Sequence, residues 1–350
     1  MRKFILILFL FCTSARLMAQ DDTLQALLQE GVALHDKGDY DGALKIYDEV
    51  LAKDPNRLLA WYEKSLTLFV AQRYQECADL CKDVLKKFRE GDELENIYVN
   101  YGSALDALGK PDEAIKVYSQ GIRKYNHYLL FFNRGITEFQ NKKTGDAIND
   151  FEQTLLLNPL HASSHQYLGY TVYGENKVAC LMALSTFLII ESNSNRSEKN
   201  LKILQELFGS FAKKTGEKTI SITLNSSALD SKKSKPDNFS ITEMTLALDA
   251  ALDHSDSVKQ FVTPADRLKK KLELFAGVDP EGKKGFFTEF YIPFFRAMKE
   301  AGYLETAANM ILARSNDDQV KNWISSNEAK LNSFAQWLQE YRWSSKAGNN

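Results

Sequence analysis

Three stretches in the first half of the chain repeat one pattern of residue types. Residues 38–56 read GDYDGALKIYDEVLAKDPN, residues 109–126 read GKPDEAIKVYSQGIRKYN, and residues 144–159 read TGDAINDFEQTLLLNP. In each stretch an alanine is followed four positions later by an aromatic residue, so the two lie on one face of a helix. Such self-similarity is typical of repeat folds, in which a helix pair buries its apolar face only against its neighbours. We therefore predict a stack of helical units.

The stretches resemble the second helix of the tetratricopeptide repeat (TPR). In that family a helix–turn–helix unit of about 34 residues carries a bulky residue at position 4, Gly at 8, Ala at 20, an aromatic at 24 and Pro at 32. The resemblance implies an α-solenoid of about five such repeats over residues 24–195, the fifth being degenerate. The units begin at Leu24, Leu58, Glu95, Tyr128 and Ala162.

The N-terminus has the residue order of a secretory signal peptide. Arg2 and Lys3 precede the unbroken apolar run Phe4–Phe11, and the small residue Ala19 follows. This order is typical of exported proteins, and the apolar run is far shorter than the roughly 20 residues of a membrane span. We therefore expect residues 1–19 to be a cleaved signal peptide. The mature protein would be periplasmic or associated with the outer envelope, and would have no membrane span.

The sequence pattern changes after the repeats. Apolar residues at helical spacing predict a capping helix over residues 196–214. The polar segment 215–238 is interpreted as a linker, in which the alternation of TISITL predicts a short strand whose mate the sequence does not reveal. Helical periodicity then returns and predicts a C-terminal helical domain over residues 239–350. The predicted fold class is therefore all-α, a TPR α-solenoid followed by a second helical domain, with one short strand between them.

The segment FFTEFYIPFF, residues 286–295, has six aromatic rings in ten positions. Rings spaced by four form two adjacent stripes on one face of a helix, and Trp337 and Tyr341 supply a matching aromatic surface. We expect this segment to form a core, the alternatives being a docking surface or a membrane face. Pro293 costs about 3 kcal/mol in a helix interior, so we expect a kink there or a helix that begins at Pro293.

The family resemblance also implies a set of residues on a concave groove. In TPR arrays this surface is lined mainly by first-helix positions 2, 5, 6, 9, 12 and 13. Apolar pockets and asparagine amides together could hold an extended peptide, although the same side chains could pack against the C-terminal half or a neighbouring chain. The candidate groove residues are Leu28, Tyr62, Leu66, Phe69, Asn100, Phe132, Asn133, Ile136, Phe139, Tyr170 and Tyr173. The cations of the family's clamp for acidic chaperone tails are absent from the equivalent positions.

The residues give no sign of catalytic chemistry. GxSxG, HExxH, Walker and GxGxxG motifs with credible spacing are absent, and a formal net charge of −2 argues against a nucleic-acid partner. His161 and His165 have a metal-compatible spacing, but they fall in a turn and at a packing position of the repeat. Cys77 and Cys81 occupy packing positions, so we interpret them as buried thiols.

These observations favour a non-enzymatic scaffold of the bacterial envelope that binds a protein or peptide partner in the groove. No cofactor or metal is expected. One alternative is a structural protein that associates with itself as a homo-oligomer. Another is an enzyme or metal protein whose site the motifs do not reveal.

Overall fold

The structure is a computed structural model that describes residues 21–216, 219–224, 236–252, 262–278 and 284–344. These residues form 17 helices and two short strands. The predicted signal peptide, residues 1–19, lies outside the described residues. The chain divides into two compact units, Met1–Lys142 (unit 1) and Lys143–Asn350 (unit 2). The division falls inside the fourth predicted repeat, whereas the sequence pattern changes near residue 195.

Unit 1 consists of helices joined by short turns. Consecutive helices pack against each other, and α5 packs on both α3 and α7. Gly109 ends α5 in the left-handed region, at φ 73°, a conformation that glycine adopts without strain. In the described part of this unit the helices are α1 (residues 21–36), α2 (Tyr40–Lys53), α3 (Leu58–Val70), α4 (Tyr74–Lys87), α5 (Leu94–Ala107), α6 (Pro111–Tyr125) and α7 (Tyr128–Gln140).

The two helices of a repeat approach closely where a glycine faces an aromatic ring. A Cβ added to Gly102 would lie 2.4 Å from Cε1 of Tyr118, and one added to Gly31 would lie 2.5 Å from Cε1 of Tyr47. Both tyrosines are buried. In the second repeat Ser65 and Cys81 take these two positions, and the smaller cysteine leaves room for the serine side chain. The antiparallel helix pairs predicted from the sequence are confirmed.

Unit 2 continues with helices and contains the strand pair. Its elements are α8 (Thr144–Leu157), α9 (Ala162–Val172), α10 (Lys177–Ile190), α11 (Asn195–Gly209), β1 (Ala212–Lys214), β2 (Ile220–Ile222), α12 (Ser240–Leu252), α13 (Pro264–Ala276), α14 (Phe286–Glu300), α15 (Leu304–Ile311), α16 (Asp318–Ser326) and α17 (Glu328–Glu340). Helix α10 is the most deeply buried of them, because twelve of its residues are buried. Such a helix is apolar on every face and must be covered by neighbours all round.

The helix predicted over residues 196–214 is shorter in the structure. It ends at Gly209, and Ala212–Lys214 forms a strand that pairs antiparallel with Ile220–Ile222, with Ala212 opposite Ile222. The mate of the predicted strand therefore lies six to ten residues earlier in the chain, in a segment that had been assigned to the capping helix. Buried Phe211 stands at the break, and its carbonyl accepts a hydrogen bond from the Thr223 N–H at 2.9 Å.

The aromatic segment is the first part of one helix, α14, which runs through Pro293 without a break. The prediction of a helix that begins at Pro293 is therefore wrong. The start of α14 is fixed by Asp237, whose carboxylate accepts hydrogen bonds from the backbone N–H groups of Gly285, Phe287 and Thr288 at 2.8–3.1 Å. A charged acceptor at the helix N-terminus favours that start, because it satisfies donors that otherwise lack partners.

The rings of α14 lie in a core, as the sequence predicts. Phe290 and Phe294 are fully buried. Phe294 stacks on Trp343 at 4.3 Å between ring centroids and lies 5.4 Å from Tyr341. Aromatic pairs of this kind contribute about 0.5–1.5 kcal/mol each beyond the area that they bury. Aromatic packing thus stabilises this part of unit 2.

Candidate functional site: the first-helix face of unit 1

The candidate groove residues of unit 1 lie on the first helices of its repeats, α1, α3, α5 and α7, and we call their predicted concave side the first-helix face. Helix α3 contributes Tyr62, Leu66 and Phe69, which are spaced by four and three residues and share one side of the helix. All three are half-buried. They are therefore held in place by packing and still present apolar surface.

Helix α7 contributes four candidates, and all are half-buried: Phe132, Asn133, Ile136 and Phe139. The Asn133 side chain donates a hydrogen bond from Nδ2 to the Leu129 carbonyl of its own helix at 2.8 Å. That bond fixes the direction of the amide group. Because α5 packs on both α3 and α7, the three helices form one layer.

Asn100, on α5, is a packing residue in this structure. It is 7% exposed, and its Nδ2 donates to the Ser65 hydroxyl at 2.8 Å. Ser65 stands where the family pattern has glycine, and its buried hydroxyl donates to the Tyr62 carbonyl at 2.7 Å as well as accepting from Asn100. The second repeat thus departs from the pattern at Ser65, and Asn100 of the next repeat compensates.

Three further candidates do not join this face. Leu28 is 2% exposed and packs in the core formed by α1 and α2 with Leu24, Tyr47 and Val50. Tyr170 and Tyr173 belong to unit 2. The Tyr170 hydroxyl donates to Asn200 Oδ1 at 2.8 Å, while Tyr173 is 46% exposed.

The first-helix face carries carboxylates that sequence analysis missed. Burial raises the pKa of the Glu63 carboxyl, and the carboxylates of Glu93 and Asp36 raise this pKa further. Burial also raises the pKa of Asp106, although its hydrogen bond with Thr137 opposes that effect. Glu63, Asp106 and Asp36 hold positions 6, 12 and 13 of their repeats, so the family pattern could have identified them.

The same positions lack positive charge. In the four repeats that begin at Leu24, Leu58, Glu95 and Tyr128, none of the first-helix positions 2, 5, 6, 9, 12 and 13 is Lys or Arg. The interactions that shift the pKa of Glu63 involve two carboxylates and no cation. The face is therefore apolar and aromatic with an excess of negative charge.

His165 of unit 2 is structural. His165 is fully buried, with Nε2 2.8 Å from the Pro159 carbonyl and Nδ1 2.8 Å from the Tyr291 hydroxyl. Because a carbonyl only accepts, Nε2 donates to it and Nδ1 accepts from Tyr291. Burial lowers the pKa of His165 to about 3, so the ring is neutral and both nitrogens are used. In the part of the chain that the structure describes, no group of three His, Cys, Asp or Glu side chains could hold a metal ion.

Cys77 and Cys81 are buried and free. The Cys77 thiol donates to the Ser65 carbonyl at 3.3 Å, and burial raises the pKa of the Cys81 thiol. A raised pKa suppresses the reactive thiolate. The interpretation of these two residues as packing groups is confirmed. Across residues 21–216, 219–224, 236–252, 262–278 and 284–344, no helix has the length and apolar character needed to cross a membrane.

Comparison with known proteins places the repeats in a family. The tetratricopeptide-repeat family model matches residues 28–92 and 99–165. A TPR repeat-containing protein of Methanocaldococcus jannaschii is 26% identical over 130 residues, which cover 37% of this chain and 22% of the relative. Tetratricopeptide repeat protein 28 of Mus musculus is 26% identical over 105 residues, covering 30% of this chain and 4% of the relative. The chain thus spans about a fifth or less of these relatives' lengths.

Solved structures show the same kind of similarity. TTC0263, a TPR protein of Thermus thermophilus, is 17% identical with a TM-score of 0.44, covering 53% of this chain and 98% of that one. PilF of Pseudomonas aeruginosa has the same identity and TM-score, covering 54% of this chain and 90% of that one. The matched residues, the antiparallel helix pairs and the glycine–aromatic contacts agree: residues 28–165 of this chain form tetratricopeptide repeats, and a further helical region follows them.

Proposed function

We propose that this protein is a non-catalytic scaffold that holds an extended segment of a partner protein on the first-helix face of unit 1. TPR proteins mediate protein and peptide binding, which supports the class of function. The observation that carries the proposal is the half-buried stripe Tyr62–Leu66–Phe69 on α3. A row of fixed, partly exposed apolar side chains offers pockets for alternate side chains of a bound segment.

The charge of the face indicates what kind of segment it takes. Glu63 lies half-buried near Glu93 and Asp36, with no compensating cation at the first-helix positions. An acidic segment would bring a further like charge into this site, whereas Lys or Arg would relieve the existing repulsion. The proposed partner segment is therefore apolar with basic residues.

The proposed setting is the bacterial envelope, and the proposal rests on the signal-peptide order of residues 1–19. Sequencing the N-terminus of the protein recovered from a periplasmic fraction tests it. A new N-terminus at Gln20 supports export with cleavage after Ala19. An intact Met1 in the cytosolic fraction would contradict the envelope setting and leave the binding proposal standing.

A selection from a random peptide library tests the binding proposal. The variant Tyr62→Ala/Leu66→Ala removes apolar surface from the first-helix face, and both side chains are only half-buried, so the fold is expected to survive. The control Leu80→Ala/Leu85→Ala removes two half-buried side chains from α4, the second helix of the same repeat. Circular dichroism confirms that each variant is folded.

The proposal predicts peptides that bind the wild type and the control with similar affinity, and the Tyr62→Ala/Leu66→Ala variant at least about tenfold more weakly. Enrichment of Lys or Arg over Asp or Glu in those peptides supports the charge argument. Peptides that bind all three proteins alike, or a selection that yields none, would refute a peptide site on this face.

A further inference from the structure

Helix α12 is apolar on both of its sides. Leu246, Ala247 and Ala250 face the interior of unit 2 and are buried. The opposite side carries a stripe of large apolar side chains at spacings of three and four residues. They are Ile241, Met244, Leu248 and Leu252, which are 58%, 49%, 54% and 57% exposed. A helix that is apolar all round is normally covered on every side.

No charged side chain interrupts this stripe. The charged residues of α12 are Glu243 and Asp249, and both are buried. Asp249 accepts a hydrogen bond from Lys271 Nζ at 3.1 Å and pairs with Lys270. A solvent-facing helix side usually carries charges, so this side has the character of an interface.

Strand β2 extends the apolar surface. It packs against α12 and adds Ile220 and Ile222, which are 39% and 43% exposed. The six side chains expose on the order of 500 Å², which is comparable with the largest apolar patch of a typical monomer, about 300–600 Å² and often functional. A standard interface buries about 800 Å² per partner. These six side chains of α12 and β2 therefore supply the larger part of the area that a stable contact needs.

We propose that this surface is the interface with a second copy of the chain, formed by two α12 helices packed antiparallel about a two-fold axis. The spacing of the stripe is nearly symmetric about its centre. In the antiparallel arrangement Ile241 lies beside Leu252 of the second copy, and Met244 lies beside Leu248 of the second copy. The uncharged stripe of α12 meets its own copy without like-charge repulsion, as an isologous interface requires.

Two other occupants fit the observations less well. A helix that lies on an anionic membrane carries Lys and Arg on its polar side, whereas the charges of α12 itself are the two acids. The chain's internal segments outside the described residues, NSSALDSKKSK at 225–235 and DHSDSVKQF at 253–261, contain few large apolar residues. Covering the stripe with them would bury polar groups against apolar side chains at a cost.

The test is the mass of the purified full-length chain in solution, measured by sedimentation over a range of concentrations. The wild type is expected to approach twice the chain mass as concentration rises. Met244→Lys or Leu248→Glu alone places like charges near the two-fold axis and is expected to weaken the dimer by more than about tenfold. The control Leu157→Glu changes a side chain of α8 that is 41% exposed and should leave the mass unchanged.

A charge exchange makes the test specific to the antiparallel arrangement. Mixing the Met244→Lys chain with the Leu248→Glu chain places a lysine beside a glutamate in the mixed dimer, and association is expected to return. A chain that stays monomeric at every concentration overturns the proposal. So does a dimer that the stripe variants leave intact, a mixture that does not reassociate, or binding of the monomer to anionic vesicles that Leu248→Glu abolishes.

Discussion

The two units are stabilised by contacts of different range. In unit 1 the packing repeats locally: Gly31 meets Tyr47 and Gly102 meets Tyr118, each pair sixteen residues apart. In unit 2 the decisive contacts join distant residues, such as His165 with Tyr291, 126 residues apart, and Asp237 with the start of α14.

This difference has a functional side. The core of unit 1 is local and repeated, and the first-helix face beside it carries aromatic and acidic residues. Unit 2 buries the aromatic rings of α14 internally, and the large exposed apolar side chains that it presents gather mainly on α12 and β2. We therefore expect substitutions in unit 2 to affect stability, and those on the first-helix face to affect binding.

The largest effect is expected from the aromatic core. Phe294→Ala removes a fully buried ring that contacts Trp337, Tyr341 and Trp343, and such truncations cost about 3–5 kcal/mol. Chemical denaturation measures the loss. Leu157→Ala, at an exposed position, should change the free energy of unfolding by less than about 0.5 kcal/mol. A small loss at Phe294 would mean that the ring cluster does not stabilise unit 2.

The next effect depends on pH. Burial, with Asp237 nearby, raises the pKa of Glu152 to about 8 from its ordinary 4.5. A folded-state pKa above the unfolded value contributes stability below about pH 4.5, and that stability is lost as pH rises towards 8. Glu152→Gln should remove this loss and gain about 4 kcal/mol relative to wild type at pH 8.

The measurement for Glu152 is the free energy of unfolding of wild type and variant at intervals from pH 5 to pH 8.5. The curves should diverge as pH rises. Glu206→Gln, at an exposed position, is the control and should run parallel to wild type. Parallel curves for Glu152→Gln would show that its carboxyl ionises in the folded protein as it does in water.

In unit 1 the corresponding prediction concerns the close contact between Gly102 and Tyr118. Gly102→Ala places a methyl group 2.4 Å from Tyr118 Cε1, and overpacking of this kind costs about 1–3 kcal/mol. Gly145→Ala, whose Cβ would meet nothing within 4 Å, should be neutral or stabilising because alanine favours helix. Thermal unfolding compares them. Equal unfolding temperatures for the two variants would show that the close approach of Gly102 to Tyr118 does not matter for the repeat core.

The smallest effect is expected at the long-range helix cap. Asp237→Asn keeps a side chain that tolerates the positive φ of 54° but removes the charge that three N–H groups of α14 share. We expect a loss of about 1–2 kcal/mol in unfolding free energy. Asp317→Asn, which alters the local cap of α16, should cost less. A larger loss at Asp317 would contradict the importance of the distant contact.

The same difference in contact range explains which parts of the fold can be predicted from the sequence. The helices of the repeats, the glycine–aromatic pairs and the burial of the α14 rings depend on spacing along the chain. The strand mate at Ala212 and the cap from Asp237 depend on contacts that no local pattern encodes. Helix α14 begins at Phe286, where Asp237 holds its first turn, and continues through Pro293.

The candidate site was predictable in outline only. The repeat register placed Tyr62, Leu66 and Phe69 on α3 correctly, since those positions follow the helical period. The register could not show that Leu28 is buried. It also could not show the hydrogen bond from Asn100 to Ser65, because that bond needs a serine where the family pattern has glycine. The repeat register could have identified Glu63, which holds position 6, but carboxylates at the first-helix positions were not considered.

The central claim is that the first-helix face of unit 1 binds a partner segment. Hydrogen–deuterium exchange with and without a selected basic, apolar peptide tests it most directly, since it locates the bound segment on the chain. Binding on this face would slow exchange in α3, α5 and α7 of the wild type and leave the Tyr62→Ala/Leu66→Ala variant unchanged. Slower exchange confined to α12 and β2, or the same protection in the variant, would contradict it.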